Sequence, residues 1–590
     1  MLSRWVMEDI PLDIIERYAR QYDLPGAVCR LLLARDIPPD NFDAFLYPTL
    51  KDHLPSPFLL AGMENMADDV AAWIAGNRNF TIFGDFDVDG ATSSATLYRF
   101  LRACGIETPI YIPDRLSEGY GPNVNALKHL KENGAEIVFI LDCGSTSHDI
   151  LEQGRALGLD IIVLDHHQTD DQLPPANHII NPKRSDDKSN LDMLAACGVT
   201  FMACVAINNK LRVSGFYKNQ GINEPNLMNL LDLTALGTVC DMVPLQGVNR
   251  LLVRSGFKQM QVTQNTGLAA LIEVSKINKS VNTHHAGFVL GPRINAGSRV
   301  HKSDLGAKLL STDDHEEAIN IAWTLNDCND RRKDIQAQME REAFDKVEAE
   351  GLDQNPCIIV GDESWHPGLS GLVAGKIKEK YGKPACVVTY ALNSDGTREG
   401  RGSGRSVPGI NIGRAFMAAM DAGCIPKGGG HAMAGGFTLA PDKLEEFSSF
   451  LNCNITEQLA NTTINTETTI DGVMAVQGAK TEFVEMLDEL VGPFGMDFPE
   501  PVFAFHNVRI YAPTVRGHNH ISFMLSDWEG GARMKAMAFG AVGTPLGDAL
   551  LKNSAQKAFH LIGQLKINEW QGRKSAELHI HDGCFAKDLN

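Results

Sequence analysis

Thr81–Ser94, TIFGDFDVDGATSS, ends an apolar run abruptly and follows it with Asp85, Asp87 and Asp89 at alternate positions. Three carboxylates this close repel one another unless a cation or a hydrogen-bonding partner neutralises them. Oxygen-rich clusters of this kind suit hard divalent ions such as Mg²⁺ and Mn²⁺. Gly90 lets the backbone turn, and Thr92, Ser93 and Ser94 stand where a helix running to about Cys104 needs its N-cap. A solvated acidic turn or a calcium loop is the plainer reading of an isolated DxDxDG, but an EF-hand loop has its bidentate Glu where this chain has Thr96.

Outward from this stretch, the strand-length runs FTIFG, PIYIP, EIVFIL and DIIVL alternate with helix-like NALKHLKENG and HDILEQGRALG, the pattern of a mostly parallel sheet in an α/β fold. TIFG runs into Asp85, EIVFIL into Asp142, and IIVL into Asp165, His166 and His167; a further apolar segment, LLDLTALGTVC, runs into Asp241. Ligands bind outside the carboxyl ends of strands in open α/β sheets, so these groups are expected to share one crevice. Any one of them alone reads as a helix cap or a turn residue. Together they suit two divalent ions about 3.5–4 Å apart with a bridging carboxylate, and hence phosphoester hydrolysis. Zinc is disfavoured because no cysteine pair joins the set.

At 590 residues the chain has room for about three or four domains. Its net charge of −19 argues against indiscriminate binding to nucleic acid and leaves room for a local basic track. Between Ala374 and Lys427 nine Lys or Arg stand against four acids, Glu379, Asp395, Glu399 and Asp421. Arg401 and Arg405 alternate there with Gly400, Gly402 and Gly404, which reads as a turn offering phosphate an unhindered approach. A flexible surface turn is the plainer reading. Twelve cysteines form no CxxC pair, MLSRWVMEDI has no apolar signal core, and apolar runs fall short of the roughly 18 residues of a membrane span, so a soluble, reduced, cytoplasmic protein is expected. From Ser311 to Gly351, Ile321, Leu325, Cys328, Ile335 and Met339 recur at helical spacing, predicting a long helix or helix pair that acts as a spacer. After Asn461, strand-like runs predict a five-stranded barrel, in which Phe503, Phe505, Arg509, Tyr511, Arg516 and Lys535 suit base stacking and phosphate contacts.

The triplet Asp165-His166-His167, with GDFDVDG, LDCG and the Asp241 segment in that order, resembles the DHH phosphoesterase superfamily. SEGYGP (Ser117–Pro122), GPRIN (Gly291–Asn295), WHPGLSGLVAGK (Trp365–Lys376), SGRS (Ser403–Ser406) and GGGHAMAGG (Gly428–Gly436) resemble its RecJ family of single-strand-specific 5′→3′ DNA exonucleases, over nearly the whole chain. The triplet alone says little; the ordered set is specific. Gly297-Ser298 and Asp497-Phe498 depart from that pattern, which usually has Ala-Gly and Gly-Asn there. The resemblance implies that Asp85 and Asp87 hold the first of two Mn²⁺ or Mg²⁺ ions and Asp89, His166 and Asp241 the second, with Asp142 bridging. His167 would face the scissile phosphate, and Asp165 would orient the histidine pair or cap the turn. Ser403 and Arg405 would form a pocket for a 5′-phosphate, with Arg401, His431, Gly429, Gly430, His366, Arg293 and Arg299 also on the substrate.

The implied architecture is an N-terminal helical segment (1–54), a mostly parallel-sheet DHH catalytic domain (55–260), a helical extension and connecting helix (261–352), an α/β DHH-associated domain (353–455) and an OB-fold (462–590). The implied partner is single-stranded DNA with a 5′ end, in repair and recombination, with a single-strand-binding protein or helicase alongside a monomeric enzyme. Two alternatives stand beside it. A small-substrate DHH phosphoesterase would have little use for a barrel, and a non-catalytic replication adaptor would have little use for the full set of acids.

Overall fold

Strands covered by helices on both faces need unbroken apolar runs, and Phe80–Gly84 and Ile137–Leu141 are buried at every residue. They form the centre of a parallel sheet ordered Ile110–Tyr111, Phe80–Gly84, Ile137–Leu141, Asp160–Leu164, His178–Ile180. The structure, a computed structural model, describes residues 4–392, 398–461, 467–552 and 557–586. By contacts the chain divides into two compact units, Pro57–Asp241 with Gly256–Ile464, and Met1–Ser56 with Met242–Ser255 and Asn465–Asn590.

In the first of these units three expectations change. The helix after the acidic stretch runs Val88–Ala103 and is capped by Asp87, not by Thr92, Ser93 or Ser94: Asp87 Oδ1 accepts from the backbone N–H groups of Asp89 (2.9 Å) and Gly90 (3.1 Å). Asp caps as well as Ser, and it comes first in the chain. Gly90 is therefore helical, and its missing side chain lets the first turn close on the strand end, since a Cβ there would stand 2.3 Å from the Asp85 carbonyl oxygen. The second change concerns LLDLTALGTVC. Leu231–Cys240 is a helix buried on nearly all sides, packed on Val88–Ala103 and Ala196–Val213. A fully enclosed helix loses its amphipathic period, so its sequence cannot be told from a buried strand.

The third change lies beyond the spacer. His315–Ala349 is one 35-residue helix, about 52 Å long at 1.5 Å per residue, burying Ile321, Leu325, Cys328 and Met339, with Ile335 partly buried. It leads to a mixed sheet ordered Lys427–Gly430, Ala434–Leu439, Arg398–Arg405, Ala385–Leu392, Ile358–Asp362. Ser403-Gly404-Arg405 is thus part of an interior strand, antiparallel to both neighbours, and not a turn. The alternating glycines serve the core. A Cβ on Gly402 would meet the Phe437 ring at 2.1 Å, and one on Gly404 the Phe416 ring at 2.6 Å. Arg401, Ser403 and Arg405 lie on the opposite face by the two-residue period of a strand.

The second unit holds the barrel: Val502–Arg516, His520–Asp527, Arg533–Ala538, Arg573–Phe585 and Phe559–Trp570, the last pairing back to the first. Phe503 and Phe505, expected as stacking candidates, are buried in its core with Phe559, Leu561 and Leu578, and Val28, Leu31 and Phe42 of the N-terminal helices join the same core. Arg509 lies 4.4 Å over Trp528 and Arg533 4.5 Å over Tyr511 at the partly exposed surface, while Lys535 pairs with Glu577 at 2.6 Å. Arg250, on the helix Gly247–Met260, is buried and donates to the carbonyls of Phe45 (2.7 Å), Leu490 (3.2 Å), Val491 (3.0 Å) and Gly492 (2.9 Å). Asp497 takes φ 54°, a left-handed conformation that the usual glycine adopts at less cost. Among the described residues no helix is long and apolar enough to cross a membrane.

Candidate active site

The sheet ladder continues one residue past each central strand: Asp85 N–H donates to Leu141 O (3.2 Å), Asp142 N–H to Leu164 O (3.0 Å) and Asp165 N–H to Ile180 O (3.1 Å). Register therefore brings these three aspartates side by side, and the helix Leu231–Cys240 delivers Asp241 from another direction. Asp142 takes φ 62° to hold its position, unfavourable for a residue with a Cβ.

His166 Nε2 lies 3.5 Å from Asp142 Oδ1, 3.5 Å from Asp241 Oδ2 and 3.9 Å from Asp89 Oδ2. Three overlapping groups have ligand atoms within 4.8 Å of one another: Asp85, Asp87 and Asp142; Asp89, His166 and Asp241; Asp142, His166 and His167. Asp85 Oδ1, Asp142 Oδ1, Asp241 Oδ2 and both His166 ring nitrogens are buried with no hydrogen-bond partner. Burial first, and neighbouring carboxylates second, push the carboxyl pKa of Asp85 and Asp142 well up, that of Asp89 to about 6 and that of Asp241 to about 9. Burial and then His167 push His166 down to about 3, leaving the neutral imidazole that a metal takes. Unpaired oxygen and imidazole acceptors facing one another are a costly arrangement alone and a fitting one for hard divalent cations. Asp89 is also bound from outside, its two oxygens accepting the N–H groups of Ala196 (2.7 Å) and Cys197 (2.9 Å) at a helix N-terminus.

Asp165 faces away from this cluster. Its Oδ1 accepts from His167 Nδ1 (2.8 Å) and from the N–H groups of His166 (2.7 Å) and His167 (3.2 Å), and its Oδ2 from Ser145 N–H (3.1 Å). Burial acts to raise its pKa, but these donors, His167 foremost, hold it below the usual carboxylate range; in turn Asp165 raises His167 against burial.

A run of arginines leads away from the acids. Arg115, 4.7 Å over the Phe86 ring, is partly buried beside Asp85 and Asp87. Arg299 donates to Gly368 O (2.8 Å), and its pKa is pushed down to about 9 by burial first and then by Arg115, Arg332 and Arg405. Gly368 N–H donates to His366 Nδ1 (3.1 Å), Ser370 and Ser403 hydroxyls meet at 2.9 Å, and Arg405 closes on Gly371, where a Cβ would stand 2.8 Å from its Nη2. Arg299, His366, Ser403 and Arg405 thus lie together. The hairpin carrying Gly429, Gly430 and His431 runs beside them, with Ala434 opposite Arg405. Arg293 lies elsewhere, bound to Val289 O (2.7 Å) and Asn326 Oδ1 (3.1 Å). Much of the basic segment is internally paired: Lys376 with Glu379, Lys380 with Glu348, Arg398 with Glu363 and Arg401 with Glu399. Asp395 lies outside the described residues.

Arg115 and Tyr120 escape sequence reasoning. Tyr120 donates to Asp142 O (3.1 Å) and lies 3.3 Å from both ring nitrogens of His167. Their only signal is SEGYGP and the arginine shortly before it.

Residues 79–238 match the DHH family N-terminal domain, residues 354–457 the DHHA1 domain and residues 470–582 the RecJ OB domain. The chain is 34% identical over 532 residues to the single-stranded-DNA-specific exonuclease RecJ of Dickeya dadantii, covering 88% of this chain and 90% of the relative. This chain belongs to the RecJ family. The fold is that of RecJ from Thermus thermophilus in complex with Mn²⁺, with TM-score 0.80 at 24% identity over 99% of this chain and 80% of that one. An exonuclease RecJ bound to manganese aligns with TM-score 0.56 at 28% identity, over 68% of this chain and 97% of the other.

Proposed function

We propose that this RecJ-family protein is a single-stranded-DNA-specific exonuclease that hydrolyses phosphodiester bonds from the 5′ end with two Mn²⁺ or Mg²⁺ ions. The observation that carries this reading is the run of partly buried arginines, Arg115, Arg299 and Arg405, from Asp85 and Asp87 to Ser403: like charges drawn together and partly out of water call for an anion, and a chain of phosphates is one. When bound, the ions supply charge neutralisation and an activated water at a phosphoryl group. Asp85 and Asp87 would hold one, Asp89, His166 and Asp241 the other, and Asp142, which belongs to two of the three groups, would be shared between them. His167, with Nδ1 held by Asp165, turns Nε2 towards the scissile phosphate. Ser403 and Arg405 receive the terminal 5′-phosphate, and Arg299, His366 and the Gly429-Gly430-His431 hairpin flank it.

The catalytic unit comprises residues 55–260, the connecting extension 261–352, the substrate domain 353–455 and the barrel 462–590, with 1–54 as a helical segment. We place the protein in the cytoplasm as a monomer meeting a single-strand-binding protein or helicase; its twelve cysteines, all thiols, suit a reducing compartment. A small-substrate phosphoesterase and a non-catalytic adaptor are disfavoured by the RecJ OB domain and by the full acidic set. The test is a 5′-phosphorylated single strand labelled at its 3′ end, with Mn²⁺ and then with chelator. Stepwise shortening from the 5′ end that stops on chelation is expected; release from the 3′ end, or equal attack on duplex, refutes the reading.

A further inference from the structure

The π-helical turn His285–Leu290 packs on the end of the helix that delivers Asp241, with the Cys240 thiol donating to Ala286 O at 3.4 Å. It raises Phe288 into solvent at 75% exposure, with the His284 ring stacked against it at 5.3 Å and 25°. Single exposed apolar residues are ordinary, but this one begins a built surface. The next residue, Val289, offers its carbonyl to Arg293, whose Nε donates to Asn326 Oδ1 at 3.1 Å. Asn326 lies one helical turn from Trp323, a second large aromatic, at 49% exposure. Two carboxylates stand nearby: Asp327, exposed one turn after Trp323, and Asp330, which contacts Asn326 Nδ2 at 3.4 Å and is met by Lys333 Nζ at 3.1 Å, which offsets its charge. Exposed aromatics on the two elements that a guanidinium ties together suit the unpaired bases and phosphate backbone of a single strand.

We propose that Phe288 with His284, Arg293 and Trp323 form a stacking surface for nucleobases of the strand beyond the acidic site, an inference resting on the reading of the substrate as single-stranded DNA. Stacking needs bases, and the test removes them. Binding of a long fluorescent strand to the full chain in chelator is compared with binding of the same strand made abasic away from its 5′ end. Wild type is expected to favour the strand with bases. Phe288→Ala and Trp323→Ala each lose roughly five- to a hundredfold on that strand, the range for one base–aromatic stack, and narrow the preference, while Phe288→Trp keeps it. Equal wild-type affinity for both strands, or unchanged affinity in both alanine variants, overturns the inference. A wild type that hydrolyses single strands without base-dependent binding overturns it alone; one that neither binds nor hydrolyses them overturns the exonuclease reading as well.

Discussion

Gly90→Ala sets two opposed effects against each other. Within a helix, Ala is favoured over Gly by about 0.5–1 kcal/mol, so propensity alone predicts a more stable protein. The structure predicts the reverse. The new Cβ would stand 2.3 Å from Asp85 O, 2.6 Å from its carbonyl carbon and 2.8 Å from its Cα, all backbone atoms. Asp85 is tied by its N–H to Leu141 O at 3.2 Å, so it cannot yield as a flexible side chain would. Clearing the 3.0 Å below which real Cβ contacts essentially never fall takes a shift of about 0.7 Å between strand end and helix start. Overpacking of this kind costs about 1–3 kcal/mol, and misplacing reacting groups on the 1 Å scale costs about 10²-fold in rate. Gly375→Ala is the matched control, because Gly375 is helical and a Cβ there meets nothing within 4 Å. Thermal unfolding with and without Mn²⁺, and initial rates on labelled single strands, compare the two variants. Gly375→Ala should gain stability and Gly90→Ala lose both stability and rate. If Gly90→Ala melts with the control and keeps its rate within about threefold, under about 1 kcal/mol of barrier, the close approach does not shape the site.

Asp142→Asn is expected to cost far more than tenfold in hydrolysis, over about 1.4 kcal/mol of barrier, yet to raise the melting temperature of chelated protein by removing one of several buried, mutually repelling carboxylates; the Mn²⁺-dependent rise in melting temperature should shrink with it. Arg405→Ala should lose the preference for 5′-phosphorylated over 5′-hydroxyl strands by roughly ten- to a hundredfold, the worth of a charged hydrogen bond of about 1.5–3 kcal/mol, while the Mn²⁺-induced stabilisation persists; an unchanged ratio removes this residue from the pocket. Arg250→Ala leaves the carbonyls of Phe45, Leu490, Val491 and Gly492 short of a donor and should destabilise the barrel unit by about 3 kcal/mol or more in urea unfolding followed by fluorescence.

What could be read in advance was decided locally. An apolar strand that stops at an aspartate is visible as a change of polarity, and parallel register then aligns Asp85, Asp142 and Asp165 without any further information. What could not be read depends on who the neighbours are. Asp87 outcompetes Thr92 as a cap only because the helix starts a turn earlier, and Leu231–Cys240 looks like a strand because its enclosure erases the helical period. The glycines around Arg401 and Arg405 show the limit most sharply. Alternation of small and charged residues is the same string whether the small ones open a loop to phosphate or admit an aromatic core, and only Phe416 and Phe437, met through the fold, decide for the core. That decision changes the reading of Arg405. On an interior strand with Phe416 behind it, the guanidinium is held in place by the sheet before any ligand arrives, so less ordering remains to oppose binding than on a flexible turn. The same partial burial that lowers its pKa leaves its charge poorly solvated, and on the proposed reading a terminal phosphate, with more charge than an internal diester, would compensate it.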